Sequence, residues 1–147
     1  MTKGQIGRIA AAAALMAAVG CGDVTTDPTA LTGTYDLVEV NGQALPALLF
    51  EGERPEGYVI ATAISGTLTL RSTRFTERVV VNLNLDGADL GSAPVELSGD
   101  YIADGQLLSF DPDGASVPSF TGTVSGGLLT TVEDDPDYGV TEYVWNR

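Results

Sequence analysis

Residues 66–85 read GTLTLRSTRFTERVVVNLNL, and this stretch decides the fold class. Polar and apolar side chains alternate over residues 67–71, Ser72-Thr73 forms a turn, and a longer alternating run follows over residues 74–85. Alternation with a period of two is typical of a β-strand that buries one face. The stretch therefore predicts an antiparallel hairpin, and its second arm is the longest predicted strand of the chain.

One face of that second arm is apolar. Its members are Phe75, Val79, Val81, Leu83 and Leu85. Glu77 falls on the same face by alternation, and a carboxylate that points into a core must be paired or protonated. Arg71 and Arg74 are the candidate partners. The favoured interpretation is instead a β-bulge near Arg74, which would reset the alternation and leave Glu77 in water.

The same pattern extends in both directions along the chain. Turn signals such as Asn41-Gly42, Asp104-Gly105 and Gly126-Gly127 separate eight or nine short apolar runs, and loops are predicted at residues 52–57, 86–94, 111–118 and 134–139. Residues 44–50 contain Pro46, which predicts an edge or irregular segment. We expect an all-β fold, an antiparallel up-and-down meander that closes into a barrel of about eight strands; a two-sheet β-sandwich is the alternative. The predicted core comprises Tyr35, Leu37, Leu68, Leu70, Phe75, Val79, Val81, Leu83, Leu97, Phe120 and Trp145.

The N-terminal segment has the features of an export signal. Lys3 and Arg8 precede an apolar run at residues 9–19, and small residues stand before Cys21, the only cysteine. This resembles the lipobox of bacterial lipoproteins, which implies cleavage before Cys21 and lipidation of Cys21. A plain secretory signal and an uncleaved anchor are the alternatives, although the run of 11 residues is shorter than the roughly 20 that a spanning helix needs.

This resemblance divides the chain into three parts and places it in the cell. Residues 1–20 are the predicted signal peptide, residues 21–32 the acylated cysteine and a polar tether, and residues 33–147 the barrel domain. The expected location is the bacterial cell envelope, on its periplasmic or outer-surface side. The membrane is the expected partner, contacted through the N-terminal lipid.

A second resemblance covers most of the predicted domain. Residues 33–37 (GTYDL), 41–46 (NGQALP), 66–70 (GTLTL) and 143–145 (YVW) are arranged as in small bacterial lipocalin-like lipoproteins. The resemblance implies a barrel of about eight strands with a possible interior cavity. It implies no catalytic residue.

Composition excludes several classes of function. The chain has no histidine, and after residue 20 it has five arginines, no lysine and 20 acidic residues, a formal charge of −15. Histidine-based catalysis and histidine-ligated zinc are therefore excluded, and such a surface repels nucleic acid. The acidic runs at residues 111–114 and 133–137 lack the spacing of a calcium loop. We expect no enzyme activity, cofactor, metal or nucleic-acid partner, and a monomer.

Two functions fit these expectations. The first is a binding module that holds a small apolar or amphipathic ligand in a cavity on the order of 300 Å³ or more. Inward-facing glycines such as Gly99 and Gly122 would leave the space for it. The candidate ligand-binding residues are Glu77, Tyr35, Phe75, Tyr101 and Trp145. The second is a structural or interaction protein of the envelope with a filled barrel and no ligand.

Overall fold

The structure is a computed structural model that describes residues 28–114 and 116–147. The predicted signal peptide, Cys21 and most of the predicted tether lie outside the described residues. The elements in chain order are α1 (Pro28–Leu31), β1 (Gly33–Val40), β2 (Gln43–Ala44), β3 (Ala47–Arg54), β4 (Gly57–Arg71), β5 (Arg74–Leu85), β6 (Ala88–Asp104), β7 (Leu107–Pro112), β8 (Phe120–Ser125), β9 (Leu128–Asp135) and β10 (Gly139–Asn146).

The strands form one antiparallel sheet that closes into a barrel. Its order is β2-β1-β10-β9-β8-β7-β6-β5-β4-β3, and an additional pairing of β1 with β4 closes the ring. Eight strands, β1 and β4 to β10, make the barrel wall, whereas β2 and β3 pair with its outer ends. Because each hairpin returns the chain beside the strand it has just left, the meander reaches β1 again and leaves few open edges. The predicted all-β barrel is confirmed, and the sandwich alternative is wrong.

β4 is one long strand of 15 residues that continues through Gly66. A bulge between Ala63 and Ser65 shifts the register of β4 against β5 without ending the strand. The first half of β4 pairs with β3 and its second half pairs with β1. Pro46 lies in the bend between β2 and β3, the two strands at the ends of the sheet order, so the predicted edge or irregular segment is confirmed.

β6 also differs from the expectation. The predicted loop at residues 86–94 is wrong, because the chain turns within Asp86-Gly87, both at positive φ, and β6 begins at Ala88. β7 ends at Pro112 and pairs with β6 no further than Gly99. Within the part of the chain that the structure describes, residues 88–98 of β6 therefore have β5 as their only sheet neighbour. β7 ends and β8 begins at the same level of the barrel, and this level is called the rim. The part of β3–β6 that lies beyond the rim is called the extension.

The barrel interior is filled by side chains. Phe110 stacks on Phe120 with ring centroids 4.7 Å apart, and Phe75 contacts both rings edge-on at 5.1 and 5.7 Å. The buried apolar residues are Leu31, Tyr35, Leu37, Val40, Ala47, Ala63, Leu68, Leu70, Phe75, Val79, Val81, Tyr101, Leu108, Phe110, Phe120, Leu129, Tyr143 and Trp145, and Leu97 is partly buried against them. The prediction for Leu83 is wrong: it lies in the extension and is 38% exposed, because no barrel wall faces it there.

The inward glycines do not leave space. A Cβ at Gly99 would lie 2.1 Å from the carbonyl oxygen of Asp111, and one at Gly122 would lie 3.0 Å from the ring of Phe110. Gly99 permits a close approach of β6 and β7, and Gly122 accommodates an aromatic ring. The expectation that they open a cavity is therefore wrong.

The end of the barrel opposite the rim is covered by α1. Leu31 is buried in the core, and its carbonyl accepts a hydrogen bond of 2.8 Å from the hydroxyl of Tyr35. Arg147, at the end of the chain, donates hydrogen bonds to the carbonyls of Ala30 and Thr32 at 2.9 and 2.6 Å. The last residues of the predicted tether are thus part of the packed domain.

Candidate functional site

Glu77 lies in the interior, at the centre of a regular stretch of sheet. It stands opposite Leu68 on β4 and Leu97 on β6, and the register of β5 with β4 is unbroken from Arg74 to Val79. The expected bulge near Arg74 is absent from this register, so the interpretation that placed Glu77 in water is wrong. The residue is 5% exposed, as simple alternation along the strand predicts.

Neither arginine proposed as its partner reaches Glu77. Arg74 lies on the outer surface, where it forms a short ion pair with Asp113 and a 3.2 Å ion pair with Asp100. The Arg74 guanidinium lowers the pKa of Asp113 in turn. Arg71 is exposed. Arg74 points outward because it lies an odd number of residues from Glu77 on the same strand. Arg71 is the last residue of β4.

The neighbour of Glu77 is a second carboxyl group, Glu133 of β9. Burial, and then the charge of Glu133 and a hydrogen bond with it, raise the pKa of Glu77 well above its ordinary value. Burial raises the pKa of Glu133 to about 7. Two ionised carboxylates have no donor between them, so a hydrogen bond between these groups requires that one of them holds a proton. The two carboxyl groups therefore interact most favourably when one of them is protonated, which is the form that their raised pKa values favour.

The groups around this pair are acidic or neutral. Tyr143 on β10 lies close enough that burial and the charges of Glu133, Glu77 and Asp135 raise the pKa of its phenol. Asp135, two residues after Glu133, also raises the pKa of Glu133. Among the described residues, Glu77 Oε2 and Glu133 Oε1 are buried without a hydrogen-bond partner. Apart from the other carboxyl group of the pair, these two oxygens therefore have no hydrogen-bond partner in the part of the chain that the structure describes.

The pair lies at the rim. Glu77 is opposite Leu97, which is beyond the last β6 residue paired with β7. Glu133 is one residue beyond Val132, the last β9 residue paired with β8. A small hollow of about 20 Å³ adjoins Glu133, and its other lining residues are Val117, Pro118, Phe120, Asp134 and Asp135. Glu133 is therefore the member of the pair that a solute at the rim can reach.

The aromatic residues predicted to bind a ligand are parts of the packed core. Tyr35, Phe75, Tyr101 and Trp145 are each at most 3% exposed. The indole Nε1 of Trp145 donates a 3.0 Å hydrogen bond to the hydroxyl of Thr131, itself fully buried. A larger hollow of about 220 Å³ lies at the outer seam where β1 leaves β4, lined by residues that include Asp36, Ser65 and Arg78. It is apart from the predicted ligand residues.

Sequence reasoning singled out Glu77, although it favoured a position in water, and it missed Glu133, which it counted with the acidic run at residues 133–137. The signal was present in the alternation Leu129, Thr131, Glu133, whose first two members are buried inside the barrel. The acidic run at residues 133–137 concealed it, because Asp and Pro are also turn formers.

Neither a metal site, a membrane-spanning helix nor a similarity to a known protein assigns a function to the described part of the chain. Within residues 28–114 and 116–147, no three acidic or cysteine side chains are grouped so as to hold a metal ion. The helical part of this described chain offers no segment of the length and hydrophobicity that a membrane crossing requires. No family model, no curated protein and no solved structure matches the chain.

Proposed function

We propose that this protein is a lipid-anchored protein of the bacterial cell envelope that binds a small amphipathic ligand at the rim of its barrel. The observation that carries the binding proposal is the buried pair of Glu77 and Glu133. The pair stands where the complete wall ends, and Glu133 borders a small hollow lined by both acidic and apolar residues. A binding site in this position needs no deep cavity.

The energetics of the pair support a functional role. Burial of a carboxyl group without full hydrogen bonding costs free energy, and an apolar residue at position 77 would pack between Leu68 and Leu97 without that cost. The neighbouring inward positions of β5, Phe75 and Val79, are apolar. Buried acidic groups whose pKa values are strongly raised are concentrated at functional sites.

The apolar part of such a ligand has a surface beside the pair. The face of β5 that carries Glu77 continues into the extension through Leu83 and Leu85, and Val95 of β6 stands opposite Val79 on the same face. Leu83 and Val95 are 38% and 59% exposed. These side chains extend the apolar inner face beyond the rim, where solvent reaches it.

The anchoring part of the proposal depends on Cys21. Metabolic labelling with a fatty acid should mark the wild-type protein and leave the Cys21→Ser variant unlabelled. Equal label on both proteins would contradict lipidation at this residue. Each buried CH₂ of an acyl chain contributes about 0.8 kcal/mol, so the labelled protein should also sediment with membranes.

The binding part is tested by native mass spectrometry of the mature protein extracted from its own host. A small molecule that accompanies the wild type and is absent from Glu133→Gln supports a ligand at the rim. A structural or interaction role is the second candidate, and the filled interior favours it. That role gains support if wild type and variant both carry nothing and the protein is recovered instead with an envelope protein partner.

A further inference from the structure

We infer that the end of the barrel covered by α1, which we call the closed end, is a docking surface for the lipid bilayer. Arg71 and Arg147 would bind lipid phosphate groups there, and Leu107 and Leu128 would enter the headgroup layer. This inference rests on the anchoring part of the proposed function and adds a direct contact between the folded domain and lipid. It is carried by the charge and polarity of this end and by the place where the chain from Cys21 joins it.

The topology collects three hairpin turns at the closed end. β1 begins and β10 ends there, and because the sheet is an antiparallel meander, the turns at residues 72–73, 105–106 and 126–127 lie at the same end. None of these three turns contains an acidic residue. The connections at the rim end, in contrast, contain Glu56, Asp86, Asp113 and Asp137. The acidic connections of the barrel are thus at the end away from α1.

Two arginines at the closed end have no carboxylate partner within the described chain. Arg71 is exposed at the end of β4, and the ion pairs among the described residues involve other arginines. Arg147 is exposed and donates its hydrogen bonds to two backbone carbonyls beside α1, which do not balance its charge. Asp104 at the end of β6 offsets part of this charge. The closed end is therefore close to neutral, whereas the chain after residue 20 carries a formal charge of −15.

Exposed leucines flank the same turns. Leu107 follows the turn at residues 105–106 and is 59% exposed, and Leu128 follows the turn at residues 126–127 and is 41% exposed. Ile102, two residues before the end of β6, is also exposed. Apolar side chains are stabilised by entering the boundary between headgroups and acyl chains, and neighbouring cations by approaching lipid phosphates. The closed end offers both kinds of group on one surface.

The position of Cys21 selects the bilayer as the occupant of this surface. Residues 22–27 separate Cys21 from Pro28, the first residue of α1. Arg147 in turn binds the carbonyls of Ala30 and Thr32, next to α1. The surface that lies nearest to a lipidated Cys21 along the chain is therefore the one that carries the unpaired arginines and the exposed leucines.

The acidic remainder of the domain does not prevent this contact. At physiological ionic strength the Debye length is about 8 Å, so charges farther from the bilayer than this are largely screened. β1, which connects the two ends of the barrel with eight residues, is about 25 Å long. The acidic connections at the rim end therefore add little repulsion when the closed end approaches anionic lipid.

The test attaches the purified full chain, through the thiol of Cys21, to maleimide-bearing lipid in vesicles of phosphatidylethanolamine and phosphatidylglycerol. Because Cys21 is the only cysteine, this coupling holds the chain at the expected anchor position whether or not cells acylate it. The reporter is Trp145, the only tryptophan, which stands opposite Leu129 and so next to Leu128. A nitroxide group on the lipid headgroups quenches its fluorescence at short range only, so quenching reports the docked fraction.

The wild type should be strongly quenched. Arg71→Gln should lower the ratio of docked to undocked protein about fivefold, as for one cation removed from an anionic surface, and Leu107→Gln should lower it several-fold. Leu90→Gln replaces a leucine of similar exposure, 60%, in the extension, and Arg78→Gln removes an arginine that pairs with Glu96 on the outer wall. Both are matched controls and should be quenched like the wild type. All four positions are exposed, so the variants should keep the fold.

Two results would overturn the inference. One is equal quenching of the wild type, Arg71→Gln and Leu107→Gln, and the other is weak quenching of a coupled wild type whose folding is verified by circular dichroism. The closed end would then be a surface for a protein partner or for none. Neither result affects the proposed anchor, which fatty-acid labelling of Cys21 decides separately. If cells leave Cys21 unlabelled but quenching on vesicles is strong and sensitive to the two variants, the anchor is refuted and the docking surface stands.

Discussion

The buried glutamate pair predicts that the domain becomes less stable as the pH rises from 5 to 8. A carboxyl group whose pKa is raised on folding binds its proton more tightly in the folded state than in the unfolded state. Its contribution is fully present below the unfolded pKa and is lost as the pH rises through the folded pKa. This is the reverse of the usual behaviour of a carboxylate in an ion pair.

The magnitude follows from Glu133. Its pKa is about 7 in the folded protein against an ordinary 4.5. At about 1.4 kcal/mol for each pKa unit, the free energy of unfolding should fall by about 3 kcal/mol between pH 5 and pH 8. Glu77, whose pKa is also raised, first by burial and then by the charge of Glu133, changes the stability in the same direction. Asp89 and Asp113, whose pKa values are lowered by their partners, act below this window and do not offset the loss.

The assay is urea unfolding at half-unit steps of pH, monitored by the fluorescence of Trp145. Glu133→Gln should reduce the slope by the contribution of Glu133 and leave that of Glu77, since glutamine keeps the shape of the side chain and has no titratable proton. Glu142→Gln removes the same charge from the outer surface and should keep the slope, which corrects for general repulsion in an acidic chain. A wild-type stability that is flat or rising over this window, or an equal slope in Glu133→Gln, would refute the argument.

Three further predictions concern the packing. Leu68→Ala should cost about 2–5 kcal/mol of unfolding free energy, because Leu68 is fully buried, whereas Leu83→Ala in the extension should cost less than about 1 kcal/mol; similar losses for the two would mean that the extension is packed in solution. Thr131→Val leaves the buried indole N–H of Trp145 without its acceptor and should cost about 1–3 kcal/mol by thermal or urea unfolding, and a neutral result would show that another acceptor replaces it. Gly99→Ala should destabilise the domain by more than Leu83→Ala, since its Cβ would meet the backbone of Asp111; hydrogen exchange should locate the loss of protection at the β6–β7 pairing, and unchanged protection there would contradict the close approach.

The fold was predictable because alternation and turn residues are local signals. The run from residue 74 to residue 85 and the dipeptides Asn41-Gly42 and Gly126-Gly127 specify strands and hairpins without reference to the rest of the chain. The errors at residues 86–94 have a physical cause. Asp, Gly and Pro favour turns in most settings, but a strand that leaves the barrel with one free edge tolerates a proline such as Pro94.

Only one member of the Glu77–Glu133 pair could be predicted from the sequence. Alternation alone placed Glu77 inside, and the expectation of a bulge arose because an unpaired buried carboxylate is costly. Its partner is 56 positions away in the sequence, on a strand that is brought near only by closure of the barrel. Glu133 could be identified from its own alternation with Leu129 and Thr131, but its pairing with Glu77 is a property of the closed sheet.

The place where residues 30–33 join the barrel, beside Arg147, has a consequence for orientation at a bilayer. Gly33 pairs with Leu70 at the closed end of the barrel, and β1 runs from there toward the rim. An acyl chain on Cys21 would be joined to this end by residues 21–27, which reach at most about 25 Å. The path along β5 from Phe75 to Leu85 is about 33 Å. A protein tethered in this way would hold its closed end toward the lipid. Its rim, with the acidic residues, would face the aqueous compartment and meet solutes before they reach the membrane surface.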